Sequence, residues 1–179
     1  MDAKMSTAML AVIAAMALVG IGYAHWTETI TISGTVDTGE LDCGWSWETG
    51  WDTESDEKDV SSISAEGVDE DGDGDYDELV VTINNAYPCI HYYLPIDIKN
   101  TGTIPGEIAS IDIDTSGLPS GSTVEIQEDP DKDPDIGVDV QIDPGEEAYG
   151  ILHVHLPQDA EENTDYTFTV SVEFVQWND

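Results

Sequence analysis

The chain has 179 residues, with 39 Asp plus Glu against four Lys and no Arg, for a formal charge of −35. Four lysines cannot build the patch that replaces counterions around phosphates, so nucleic-acid binding is excluded, and docking onto an anionic lipid surface fails for the same reason. With 40% apolar residues, many in short alternating runs, the composition is that of a folded, very acidic domain rather than a disordered tail.

The chain opens with an apolar targeting segment. Residues 1–7 carry Lys4 and Asp2, residues 8–24 are uncharged and nearly all apolar, and the stretch ends in Gly22-Tyr23-Ala24. That order reads as a secretory signal, residues 1–24, with cleavage after Ala24. The competing reading is a retained membrane helix, for which the apolar run is at the short limit of roughly 17–25 residues. Cleavage would make His25 the first residue, where the α-amine and imidazole form a copper chelate.

Residues 25–37 predict an N-terminal extended strand. One face carries Trp26, Ile30, Ile32 and Val36, interrupted by Glu28 and Gly34, and the other carries Thr27, Thr29, Thr31, Ser33 and Thr35. Gly34 and Gly39 are candidate hinges. Residues 38–179 then form the main domain. Within it, 42–68 is the least regular stretch and holds Trp45, Trp47 and Trp51, which reads as a long loop or excursion. Beyond it the alternation is clear in ELVVTIN, IHYYLPIDIKN, EIASIDID, STVEIQ, IGVDVQID, AYGILHVHL and YTFTVSVEFVQW. Gly, Pro, Asn or Asp punctuates the gaps, as at Asp143-Pro144-Gly145. Period-2 segments at this spacing predict an all-β fold, an antiparallel jelly roll or β-sandwich, preceded by the N-terminal hydrophobic signal helix.

Two cysteines, Cys43 and Cys89, in an exported chain favour one disulfide. The alternative is two free thiols. A metal pair is disfavoured, because neither has a CxxC or CxxH neighbour.

The densest chemical feature runs from Asp69 to Glu78. Asp69, Asp71 and Asp73 stand at positions 1, 3 and 5 of a calcium loop, Gly74 at position 6 where the chain must turn, and Asp77 at position 9, with Asp75 and Glu78 as further oxygen donors. Hard cations take six to eight oxygens, and alternate residues of a tight loop point them inward. Position 12 is Val80 rather than a bidentate Glu, and no helices are predicted on either side, so this is a DxDxDG-type Ca2+ loop and not an EF-hand. The competing reading is a solvated acidic turn. A second run, Asp129, Asp131, Asp133 and Asp135, lacks the turn glycine and reads as a polar, Pro-stiffened loop. His153 and His155 flank Val154 and face one side of a strand, a two-ligand pair without a third in sequence; His91 has no local partner. HExxH, GxSxG and GxxxxGK[ST] are all missing, so no enzyme is predicted.

Several of these features together resemble the TasA/camelysin family of secreted surface and biofilm-matrix proteins, including archaeal bundling pili. They are the signal followed at once by Trp26-Thr27-Glu28-Thr29-Ile30-Thr31-Ile32-Ser33-Gly34; the run Asn85-Ala86-Tyr87-Pro88-Cys89 leading into Ile96-Asp97-Ile98-Lys99-Asn100-Thr101-Gly102; and Pro144-Gly145-Glu146 before a strand, followed by 158–163 and a closing strand with Tyr166 and Phe168. The resemblance implies a jelly-roll subunit, secreted to the cell surface and assembled into fibres by donor-strand exchange. Camelysin's peptidase activity is not carried over, since no zinc-protease motif is present.

The expected function is therefore a calcium-stabilised structural subunit of an extracellular filament, pilus or matrix fibre. Identical subunits join head to tail as residues 25–37 of one copy complete a neighbour's sheet. The competing readings are that this strand pairs within its own domain, or that the chain is a membrane-tethered monomeric binding module using the Trp-rich loop, with membrane contact only through an unprocessed N-terminus.

Overall fold

The computed structural model describes residues 3–21, 31–55 and 59–177. They fall into two units, Met1–Asp37 and Thr38–Asp179.

In the first unit, Ala, Met and Leu, all strong helix formers, give helix α1 (Ala3–Ile21). It has no polar face, and Met9, Leu10, Val12, Ile13 and Met16 are exposed. Among the described residues no helix is long and apolar enough to cross a membrane. Residues 31–37 form no strand, with Ile32 91% and Val36 87% exposed. Trp26 and Ile30, the other two members of the predicted apolar face, lie outside the described residues.

The second unit is all-β. Its strands are β1 (Cys43–Trp47), β2 (Trp51–Asp52), β3 (Ser62–Val68), β4 (Glu78–Asn84), β5 (His91–Asn100), β6 (Gly106–Asp114), β7 (Thr123–Gln127), β8 (Gln141–Ile142), β9 (Glu147–His155) and β10 (Tyr166–Gln176). One sheet has the order β1-β5-β9-β7, with β2 also on β5; the other runs β3-β4-β10-β6-β8. Every strand pairing is antiparallel. The core draws on alternate residues of both sheets: Tyr92, Leu94, Ile96, Ile98, Leu152 and Val154 from the first, Leu79, Val81, Ile83, Ile108, Phe168 and Val170 from the second, all nearly or fully buried. This is the inward half of the period-2 pattern.

Residues 42–68, expected to be irregular, hold β1, β2 and β3. The pattern was hidden because Trp45 and Trp47 alternate with Gly44 and Ser46 rather than with charged residues. Trp45 is 4% exposed and sits opposite Ile98 in the core; its indole N–H is the one buried side-chain polar atom without a partner among the described residues. Trp47 packs against that core, and Trp51 alone of the three is exposed, at 47%.

Pro95 explains why β1 and β2 are separate. It lies in the middle of β5, opposite Ile151 of β9, where a proline usually argues against a central strand. Its carbonyl accepts from the Glu48 N–H at 3.1 Å, so its missing N–H faces the break between β1 and β2, the one place along that edge where no donor is needed.

The disulfide expectation is corrected: both cysteines are free, Cys43 half-buried and Cys89 exposed. Cys43 begins β1 opposite Asn100, the last residue of β5, whereas Cys89 stands two residues before its first. Gly39 is also no hinge; a Cβ there would collide with the Ile104 side chain. The chain is instead tied down just beyond it, where Glu40 exchanges hydrogen bonds with Thr103 at 2.8 Å in each direction.

Candidate functional site

The acidic loop is the connection between β3 and β4. Val68 pairs with Glu78 to close the hairpin, and the Asp77 N–H donates to the Val68 carbonyl at 2.9 Å. Inside it, the carboxylate of Asp69 accepts from the N–H groups of Gly72 (2.6 Å) and Gly74 (3.2 Å). Those glycines have φ of +84° and +106°, a backbone region open to Gly at little cost. Asp71 accepts from Asp73 N–H, Asp73 from Asp75 N–H, and Asp77 from Glu70 N–H at 2.7 Å.

Tyr76 anchors this loop to the body. Its ring lies directly on Gly67, where any Cβ would collide with it. It also packs against Trp47 with ring centroids 5.6 Å apart, and its carbonyl accepts from the Trp45 N–H at 3.0 Å. The loop therefore spans from an edge hairpin of one sheet to edge strand β1 of the other.

The carboxylates sort into two groups rather than one. Oxygens of Asp69, Asp71 and Asp77, three of the four expected at positions 1, 3, 5 and 9, lie within 4.8 Å of one another. Asp73, which also lies near enough to Asp71 to repel it, and Asp75 join Asp42 in a second group of the same span. Glu78, expected as a further donor, belongs to neither and stands in β4. Asp42 was missed because it is remote in sequence. It arrives because β1 runs beside the loop, close enough that a Cβ on Gly44 would sit 3.0 Å from Asp75 Cβ. A third group, Asp52, Glu54 and Asp59, was also missed. There Glu54 caps the Val60 and Ser61 N–H groups at 2.7 and 3.1 Å.

The electrostatics reflect this crowding. Burial, then repulsion from Asp73 and Asp75, raises the Asp42 carboxyl despite a hydrogen bond from Thr101. Burial raises Asp52. Asp71 receives a stabilising bond from the Asp73 N–H, yet desolvation and repulsion from Asp73 and Asp77 leave it raised. Burial, followed by the charges of Asp42, Asp77 and Asp75, pushes the neighbouring Cys43 thiol up to about 12. Carboxylates held high by mutual repulsion are relieved by a cation, and these groups offer the oxygen donors that a hard divalent ion requires.

The second Asp run does not gather oxygens. Asp129 N–H donates to Asp135 and Asp131 N–H to Asp129, both at 3.1 Å, as in a self-capped loop. Its Lys132 reaches out to Glu48 at 2.9 Å and Asp97 at 3.4 Å and lies over the Tyr149 ring. This loop covers part of the outer face of the first sheet, around Asp97 and Tyr149, which is why Asp97 is buried although it points away from the core. His153 and His155 lie on that same face, and the strand register brings His91 to them.

No family model, curated protein or solved structure matches this chain.

Proposed function

We propose that this protein is a secreted structural subunit of an extracellular filament or matrix fibre, a jelly-roll domain joined head to tail by donor-strand exchange and stabilised by calcium. The observation that carries the reading is the segment ahead of the domain. Ile32 and Val36 are almost wholly exposed on a stretch that forms no strand, although the Thr- and Ile-rich sequence favours one. A β-prone segment with unburied apolar side chains gains most by adding to a sheet edge elsewhere. A second copy offers such an edge: the opening between β1–β2 and β3 is lined by Trp47, Ile63, Ala65 and Leu94, interspersed with Glu48, Thr49 and Ser64.

A donor strand entering a neighbour makes a head-to-tail contact that propagates. The Asp69, Asp71 and Asp77 group, and the Asp42, Asp73 and Asp75 group, would hold calcium. Neutralising them lowers the repulsion between subunits of charge −35. The experiment is electron microscopy of the chain beginning at His25 beside one beginning at Asp37. Fibres from the first and folded monomers from the second support donor-strand assembly; fibres from both overturn it.

The competing binding-module reading relied on three loop tryptophans. Trp45 lies in the core and Trp47 packs on it, which leaves only Trp51, stacked on Tyr93 at 5.5 Å.

A further inference from the structure

Three histidines scattered through the sequence meet on the outer face of the β5–β9–β7 sheet. His91 stands directly opposite His155, and Tyr93 opposite His153, in the antiparallel register of β5 and β9. On the other side, Glu125 of β7 stands opposite His153. His91 Nδ1 lies 2.8 Å from His153 Nε2, with the two ring planes only 8° apart. That is an in-plane hydrogen bond between imidazoles. His153 is 8% exposed, and its Nδ1 lies 3.0 Å from Glu125 Oε1. Gln127 Nε2 donates to the same carboxylate oxygen at 2.7 Å and also lies 3.1 Å from His153 Nδ1.

The carboxylate sets the protons, because a lone pair on His153 Nδ1 would face the charged Glu125 oxygen 3.0 Å away. Glu125 is only an acceptor when ionised, and bonds from Gln127 and His153 hold its carboxyl below the usual range. His153 therefore carries its proton on Nδ1 and presents a lone pair at Nε2. That lone pair must be met by a proton on His91 Nδ1. His91 is thereby left with a bare lone pair on Nε2, on a partly exposed ring. Its backbone is held too: the His91 N–H donates to Thr53 Oγ1 at 3.1 Å, and the His91 carbonyl accepts from the Thr53 N–H at 3.0 Å. The ring of His155, also partly exposed, packs across it with centroids 4.4 Å apart.

We propose that His91 and His155 bind a borderline divalent transition ion, Cu2+ or Zn2+, with His153 and Glu125 as positioning residues. The arrangement is that of a metal-binding imidazole whose second nitrogen donates to a fixed partner, which sets both tautomer and ring direction. The three rings do not converge on one point, because His153 Nε2 is committed to His91. The ion therefore takes two protein nitrogens and completes its shell with water. Imidazole nitrogen selects this class of ion over calcium, which prefers the oxygen groups of the loop. The strong negative charge of the domain raises the local cation concentration. This site is independent of the filament reading, and monomer and fibre alike present it.

The test is a Cu2+ titration of the full chain in excess Ca2+, added to compete at the carboxylate groups, with His25→Ala in every sample to remove that imidazole. Electron paramagnetic resonance reads the ligand nitrogens. We expect coupling to two imidazoles, lost together with at least a tenfold fall in affinity in His91→Ala and in His155→Ala. Because His155 is partly exposed, its substitution leaves the fold intact, as circular dichroism will verify. Glu125→Gln should weaken binding by roughly 10–100-fold and shift the His153 ring-nitrogen chemical shifts to another tautomer. Asp71→Asn should change nothing. An oxygen-only signal, or full affinity retained in His155→Ala, would overturn the site.

Discussion

Cys43 and Cys89 stand at opposite ends of β5. Cys43 pairs with Asn100 at one end, and Cys89 precedes His91 at the other. Nine steps at about 3.3 Å per residue separate those ends by roughly 30 Å, whereas a disulfide needs Cα atoms within about 7 Å. The pair cannot be bridged within one chain while this register holds. The two thiols also differ: Cys89 is exposed, and Cys43 is half-buried beside Asp42, Asp75 and Asp77, with its pKa near 12. Iodoacetamide at pH 8 should label Cys89 quickly and Cys43 only after denaturation, because the thiolate is the nucleophile. A denatured, unreduced monomer that takes up no label would mean that the disulfide exists.

Calcium should stabilise the domain through the carboxylate groups. At a hundredfold excess over Kd, one site contributes about 2.7 kcal/mol, which for a domain of this size raises Tm by about 5–10 °C. Asp69→Asn and Asp77→Asn should abolish the gain from the first group, and Asp42→Asn that from the second. Glu78→Gln should leave both. Calorimetry with Ca2+ and with EDTA decides it: coincident melting curves would remove the calcium assignment.

Ile32→Asp separates assembly from folding. A side chain 91% exposed in the isolated subunit changes stability by no more than about 0.5 kcal/mol when replaced. In a neighbour's core the same carboxylate would be buried without a partner, at several-fold greater cost. The variant should therefore melt like the parent yet form no fibres in micrographs. Fibres from the parent should also dissociate in calcium-free, low-salt buffer, where the charge of −35 is least screened. Persistence of fibres in Ile32→Asp would place the subunit contact elsewhere.

Lys132→Met removes the cation that Asp97 and Glu48 share. Asp97 is 8% exposed, and burial raises its carboxyl even with Lys132 beside it. A part-exposed lysine makes this pair worth about 1–2 kcal/mol. The sign with pH follows from the raised value. The folded chain binds this proton more readily than the unfolded chain, whose Asp titrates near 3.8. The penalty of burying the unpaired charge is therefore greatest at neutral pH, and it fades as pH falls through the folded-state value. The Tm gap between parent and variant should be widest at pH 7 and close on acidification. A gap that does not change with pH would mean that Lys132 acts only through packing on Tyr149.

Much of the fold was legible because burial on a sheet writes itself as alternation. Leu79, Val81 and Ile83, or Leu152 and Val154, could be placed inward from the sequence alone. The stretch 42–68 resisted because its strands are short and its outward residues small, so no polar alternation marked them. β5 shows a different limit. Pro95 and Asp97 break its pattern, yet both are buried on the outer side of the strand, Asp97 beneath Lys132 of the 129–135 loop.

By itself the sequence determined the class of architecture, the acidic coat and the concentration of carboxylates in the 69–78 loop, because each depends on composition or on neighbours a few residues apart. The tertiary structure alone decided that Asp42 joins Asp73 and Asp75, that Cys43 and Cys89 never meet, and that His91 joins His153 and His155. All three depend on strand register. Pairing two strands brings together residues 31 to 64 positions apart in the chain, as with Asp73 and Asp42 or His91 and His155. No local spacing records which strands will be neighbours.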